Sequence, residues 1–338
     1  MINSNFGFTP LKEVWLGDCY PESFYDHLPN EISDPFRQIT EWTKTDLTKL
    51  QKFLEGRGIV VRRPVFGNIE NYLTQTEQLV KPPITPRDDY FVLNDTLYSL
   101  HNHCKIDPWI DCIELYRKQN YNVQTPVHQP INCMNPPAIV RMGKDIYIDT
   151  VSHADNWGFV CEVIVELSKN YRINICQTNG HSDGVFCPLK PGLIVSTHYK
   201  TDYSQSFPGW DVIQVSPHFQ NFNHPKNWLL NDKTIDNNIS FSNHIVNNAQ
   251  NWVGNFKETV FEVNMLVLDQ QNVICMKEHK LLFQKFEQYG ITAHVFDFRC
   301  RSFWDGGWHC LTLDINRDDS KEDLFPSRGE NGVYWRLN

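Results

Sequence analysis

The chain has 338 residues, ten cysteines and a net charge of −9, with 41% hydrophobic and 13% aromatic residues. That composition excludes a disordered protein and supplies a large buried core. Its basic residues are scattered, so no stripe offers itself to nucleic acid or to an anionic membrane. The cysteines form no Cys-x-x-Cys pair and keep no regular spacing, which points to reduced thiols in a cytoplasmic compartment. The first residues lack the basic and apolar regions of a signal peptide, and no apolar run reaches the roughly 18 residues of a membrane-spanning helix.

Along the chain one order of elements recurs. Leu11 to Leu16 reads as a strand, followed by a helix from about Asp34 to Leu54 with Ile39, Trp42, Leu47, Leu50 and Leu54 near helical spacing. Asp34-Pro35 is the expected cap and first turn, Gly56 and Gly58 the end, and Ile59 to Arg62 the next strand. A second unit has strands at Asp89–Leu93 and Thr96–Leu100, a helix over Pro108–Lys118 and a strand at Tyr121–Gln124. The third has Ala138–Arg141, Asp145–Ile148, a helix near Trp157–Ser168 and Tyr171–Cys176. The fourth pairs Val185–Cys187 with Leu193–Ser196, with a short helix expected around Phe207 before Val212–Val215. The fifth has Asn264–Leu268, Val273–Met276, a helix over Lys280–Tyr289 and Thr292–Phe296.

Five strand–strand–helix–strand units predict an α/β propeller with five-fold pseudosymmetry, built as one domain over residues 1–338. A doubly wound sheet is the competing architecture, but no Gly-x-Gly-x-x-Gly follows the first strand. The stretch near 217–252, rich in asparagine and histidine, reads as a loop-rich insertion.

Two glycine-marked loops carry the chemistry. One reads Gly306-Gly307-Trp308-His309-Cys310, the other Gly180-His181-Ser182-Asp183-Gly184. Taken singly, Cys310 reads as a core cysteine, His181 as a hydrogen-bonded histidine and Asp183 as a turn former. Taken together, a thiol, an imidazole and a carboxylate are the parts of a cysteine-nucleophile site. His309 could serve its neighbour as base. Side chains adjacent in extended backbone point apart, however, which favours His181.

The segment from Asn264 to Arg317 resembles the C-terminal part of the amidinotransferases, which belong to the guanidine-modifying pentein superfamily. PLKEVWLG near the start, TPRD (Thr85–Asp88), IVRMGKDIYID (Ile139–Asp149), GHSDGVF and PGLIVS follow in the family's order. The resemblance implies a pentein-type propeller and transfer of an amidino group from an arginine-like guanidino donor to an amine acceptor. It implies Cys310 as nucleophile, His181 as general acid/base, Asp88 and Asp183 as holders of the guanidinium, and Lys200 for a substrate carboxylate. No cofactor and no metal are expected, and a homodimer is the open possibility for assembly. A deiminase-like hydrolase is one alternative function. A guanidine-binding pseudoenzyme with weakened turnover is another.

One departure bears on that choice. Amidinotransferases carry an Asp-Ala-Ala-Asp stretch before the strand matching Ile139–Arg141, whose first aspartate partners the histidine and the guanidinium. Here Asn135 and Ala138 stand at the two acidic positions. Asparagine still hydrogen-bonds, but it adds no negative charge and takes no proton. Three readings stay open: the substrate differs, another acid such as Asp149 or Asp155 substitutes, or ordinary amidino transfer is impaired. Lys257 and Glu258 also stand where arginine-using members carry small hydroxyl residues. The His101-Asn102-His103-Cys104 run has metal-ligand types but no second pair at zinc spacing, and reads as a polar loop.

Overall fold

The computed structural model describes residues 1–73, 79–99, 105–124, 135–149, 157–177, 181–197, 203–204, 206–215, 238–253 and 263–335. Unit one comprises β1 (Leu11–Leu16), α1 (Asn30–Gly56) and β2 (Val60–Arg62). Unit two opens with the one-turn helix α2 (Pro86–Asp89), then β3 (Tyr90–Leu93), β4 (Thr96–Ser99), α3 (Ile110–Lys118) and β5 (Asn122–Gln124). Unit three has β6 (Ile139–Met142), β7 (Asp145–Asp149), α4 (Trp157–Ser168) and β8 (Arg172–Cys176). Unit four has β9 (Phe186–Lys190), β10 (Leu193–Thr197) and β11 (Asp211–Val215), followed by α5 (Ile239–Asn248). Unit five has β12 (Leu266–Asp269), β13 (Asn272–Cys275), α6 (Lys280–Gln288) and β14 (Thr292–Val295). The chain then runs through α7 (Arg301–Trp304) and β15 (Thr312–Arg317) to β16 (Gly332–Trp335).

The strands form five small sheets with one repeated topology. In units two to five an antiparallel pair is extended by a third strand lying parallel to the second. Unit one obeys the same rule with a borrowed strand: β15 pairs antiparallel with β1, and β2 joins β1 in parallel. The ring is therefore closed by the segment that carries Cys310. β16 adds a fourth strand to the third sheet, parallel to β8, an element absent from the sequence reading.

The centre of the ring is polar. Asp314 on β15 accepts from Arg87, Arg141 and Arg317 and from Ser4 Oγ at 2.8 Å, all in the interior. Burial would raise the Asp314 pKa, but the three guanidinium charges outweigh it and hold the carboxyl well below the usual range. Arg87 also donates through Nε to the carbonyls of His309 (3.1 Å) and Thr312 (3.2 Å). One ion-pair hub thus fixes both α2 and the Cys310 turn.

Three expectations need correction. α1 starts at Asn30 after Pro29, so Pro35 lies inside the helix and not at its first turn. Proline cannot donate to the Glu31 carbonyl one turn back, and the Asn238 side-chain amide takes that place at 2.6 Å. Asn238 also caps α5 by accepting from Phe241 N at 2.9 Å. The end of the stretch near 217–252 is therefore a helix docked on α1 through Phe241 and Ile245, while residues 216–237 lie outside the described residues. Around Phe207 the described chain makes a single turn, Phe207 N to Tyr203 O at 2.7 Å, and no regular helix. No helix among the described residues is long and apolar enough to cross a membrane.

Candidate active site

Cys310 sits on a turn, not on a strand. Leu311 N donates to Gly307 O at 3.0 Å and Thr312 N to His309 O at 3.2 Å, which winds residues 307–312 into a helical turn ahead of β15. Trp308 anchors it, with its indole buried against Phe298 and Nε1 donating to Phe296 O at 2.9 Å. The two glycines have a steric cause. A Cβ on Gly307 would lie 2.4 Å from the Asn264 backbone oxygen, and one on Gly306 would lie 3.2 Å from Thr85 Cγ2 and 3.3 Å from Cys310 Cβ.

The turn removes the premise by which His309 was set aside. Its backbone is not extended, and both neighbours converge on one oxygen of Asp183. His309 Nδ1 lies 2.8 Å from Asp183 Oδ2, and the Cys310 thiol lies 3.6 Å from the same atom. Asp183 itself rides on the single turn Ser182–Gly184, which Ser182 Oγ ties to the Ala138 carbonyl at 3.3 Å. Its other oxygen, Oδ1, is buried and has no hydrogen-bond partner among the described residues. Burial raises the Asp183 pKa, but the His309 hydrogen bond and the electrostatic pull of His309, His181 and Arg87 outweigh it and hold the carboxyl below its usual range. His309 is pushed below its ordinary value by burial and by Arg87. The pair is therefore a carboxylate accepting from a neutral imidazole.

Asp88, on α2, accepts from Thr85 Oγ1 at 2.5 Å and lies 3.8 Å from Lys81 Nζ. Burial raises its pKa against the pull of Lys81, Thr85 and His181, softened by the 39% of the side chain left open to solvent. His181, half-buried at the start of the Ser182–Gly184 turn, acts electrostatically on both Asp88 and Asp183. Asn135 is half-buried and precedes the turn Pro136–Ala138, which packs against both α2 and the Ser182–Gly184 turn. Asp149 is fully buried at the end of β7. Lys200, Asp155, Lys257, Glu258 and the His101–Cys104 run lie outside the described residues.

Sequence reasoning missed Asn264. It is 1% exposed, just before β12, and it accepts from Cys310 N through Oδ1 at 3.0 Å and donates from Nδ2 to Cys310 Sγ at 2.9 Å. Nothing in the local pattern singles it out, since it opens an apolar strand 46 residues upstream of the cysteine. Arg87 was within the TPRD stretch but carried no role. The Cys310 thiol is 6% exposed, and its pKa is raised well above the usual thiol value by burial and by the Asp183 and Asp88 charges, against the Asn264 bond and Arg87.

Beneath the Asp183–His309 pair lies a cavity of about 30 Å³ lined by Gly7, Arg87, Arg141, Asp183, Met265 and His309. That is room for water, not for a substrate. Among the described residues no group of three or more His, Cys, Asp or Glu side chains is arranged to hold a metal ion.

No family model matches the chain. Over 360 residues it is 22% identical to the L-arginine:L-lysine amidinotransferase of Pseudomonas savastanoi pv. phaseolicola, a match covering 94% of this chain and 90% of the relative. The chain is amidinotransferase-like and has the pentein fold. Among solved structures, SxtG, an amidinotransferase of Microseira wollei from the saxitoxin biosynthetic pathway, superposes with a TM-score of 0.69 at 17% identity, covering 96% of this chain and 99% of that one. The inosamine-phosphate amidinotransferase StrB1 of Streptomyces griseus gives 0.69 at 15% identity, covering 95% and 98%. A match to the mitochondrial glycine amidinotransferase of Gallus gallus is 23% identical, over 57% of this chain and 40% of that relative. In this amidinotransferase-like chain the site sits where three turns meet: α2, Ser182–Gly184 and the Cys310 turn.

Proposed function

We propose that the protein transfers an amidino group from a guanidino donor to an amine through a covalent amidino-cysteine on Cys310. The observation that carries this reading is the convergence of Cys310 and His309 on Asp183, with Asp88 and His181 in electrostatic reach. Two carboxylates at separate points suit a planar guanidinium, which they hold by charge-assisted hydrogen bonds. The bound cation offsets the two charges that keep the Cys310 proton in place, so ionisation of the thiol is coupled to substrate binding.

The steps then balance. The Cys310 proton passes to His181 and the sulfur bonds to the guanidinium carbon. The carbon–nitrogen bond to the donor amine breaks, and His181 returns the proton to that leaving amine. The acceptor amine attacks the amidino carbon and gives up a proton to His181, the carbon–sulfur bond breaks, and His181 passes that proton to the departing sulfur to restore the thiol. Lys200 is assigned to a carboxylate on the donor. Water in place of the acceptor would release urea, whereas citrulline would require ammonia, not the donor amine, to leave in the first step.

The test is incubation with labelled arginine, with and without a panel of amines that includes lysine. Ornithine plus a new guanidino compound is the expected result, and Cys310→Ala is expected to abolish it. His181→Asn should stop turnover with ligand binding retained. Citrulline would make the protein a hydrolase, and neither product would remove arginine as donor.

A further inference from the structure

We infer that Asn264 is the thiolate-stabilising residue of the site, its side-chain amide acting as the hydrogen-bond donor that holds the Cys310 sulfur in its reactive form. The inference rests on Cys310 being the reacting sulfur.

The geometry leaves little freedom in how Asn264 points. An amide has one accepting and one donating end, and the Cys310 N–H at 3.0 Å can be satisfied only by the accepting oxygen. The NH₂ group must then face the sulfur, at 2.9 Å. A third link, from His309 N to the Asn264 carbonyl at 3.4 Å, ties the same turn to the same residue. Gly307 completes the seat, because any side chain there would strike Asn264.

The other groups facing the sulfur set the need for such a donor. Asp183 Oδ2 stands 3.6 Å away, and Asp88 adds a second negative charge. Both oppose a thiolate, and Arg87 reaches the turn only through the carbonyls of His309 and Thr312. The buried Asn264 amide donates to the sulfur at 2.9 Å, and that bond strengthens once the sulfur carries charge, the more so in the low local dielectric.

The variant that separates this from a packing role is Asn264→Asp, which keeps the shape and the acceptor for Cys310 N but presents an oxygen to the sulfur. The readout is the rate of Cys310 alkylation by iodoacetamide, followed by peptide mapping across a pH series. It needs no substrate and so stands apart from any failure of turnover. The expected result is a rate at least tenfold lower than the natural protein at each pH below the thiol midpoint, about one unit of thiol pKa, with thermal unfolding little changed. Because the new carboxylate also adds charge, Asn264→Ala is measured beside it: a packing role leaves the alanine variant as fast as the natural protein or faster, and a rate within twofold in either variant would overturn the inference. Should Asn264→Asp fail to fold, Asn264→Ala must show slower alkylation on the same series. An unchanged or faster rate there would equally overturn it. Loss of turnover in Cys310→Ala tests the underlying reading separately.

Discussion

His309 and Asp183 meet Nδ1 to Oδ2 at 2.8 Å, with the Cys310 thiol leaning on the same oxygen. One carboxylate oxygen therefore serves two neighbours while the other stays buried, with no hydrogen-bond partner among the described residues. A bound cation would bring donors to that oxygen and offset the cost of burying it.

The pair makes stability depend on pH. His309 is depressed below its ordinary value of 6.5, so the unfolded chain binds a proton there that the folded chain refuses. Its contribution is fully present above that value and is lost as pH falls toward the folded pKa. Asp183 and Asp314, both depressed below 3.8, add a second loss as pH drops below that. Denaturant midpoints measured from pH 8 to 5 should fall in the natural protein and fall less in His309→Gln. His244 and His294 are also depressed and share the slope, so the difference between the two proteins is the quantity to read. Parallel curves would show that His309 is not buried neutral.

Removing either carboxylate should have two opposite effects. Asp88→Asn and Asp183→Asn should each weaken a guanidino ligand by about 1.5–3 kcal/mol, the usual range for a hydrogen bond to a charged group. Both should speed Cys310 alkylation at fixed pH, Asp183→Asn the more, because its charge is the larger of the two acting on the thiol. Calorimetry and peptide mapping on the same samples check the pair of signs.

Gly307→Ala should destabilise the protein by about 1–3 kcal/mol, since its Cβ would meet the Asn264 backbone oxygen at 2.4 Å as well as Oδ1 and Cβ of that buried side chain. Gly306→Ala, with contacts of 3.2 and 3.3 Å, should cost less. Gly56→Ala, with open space around it, is the control. Chemical denaturation ranks the three.

Asn135→Asp restores the acid that the amidinotransferases carry and should increase turnover of arginine. A rate within about twofold of the natural one, roughly 0.4 kcal/mol in barrier, would place Asn135 away from the reacting centre. Loss of an existing activity would mean the asparagine is matched to a less cationic substrate.

The repeat was legible because each unit spells alternating or continuous apolar strands around a helix, and strands such as Leu11–Leu16 fell where expected. Which strand completes unit one was not, because pairing of Leu16 with Thr312 leaves no local mark. α5 escaped because only Phe241 and Ile245 in it are buried, too few for a helical rhythm. At the site, Cys310, His181, Asp88 and Asp183 could be named from motifs. Asn264 and His309 could not be placed, since their roles follow from a turn whose winding the glycines permit but do not announce.

The borrowed strand has a consequence for biosynthesis. A ribosome delivers β1 early, yet β1 gains its antiparallel neighbour only when β15 emerges. Cys310 precedes β15 directly, and its carboxylate neighbours sit on elements already made. A nascent chain thus has no assembled thiol–carboxylate centre until the circle shuts. Closure across so long a sequence separation is slow, and that slowness postpones the meeting of Cys310 with Asp183 until the surrounding scaffold exists.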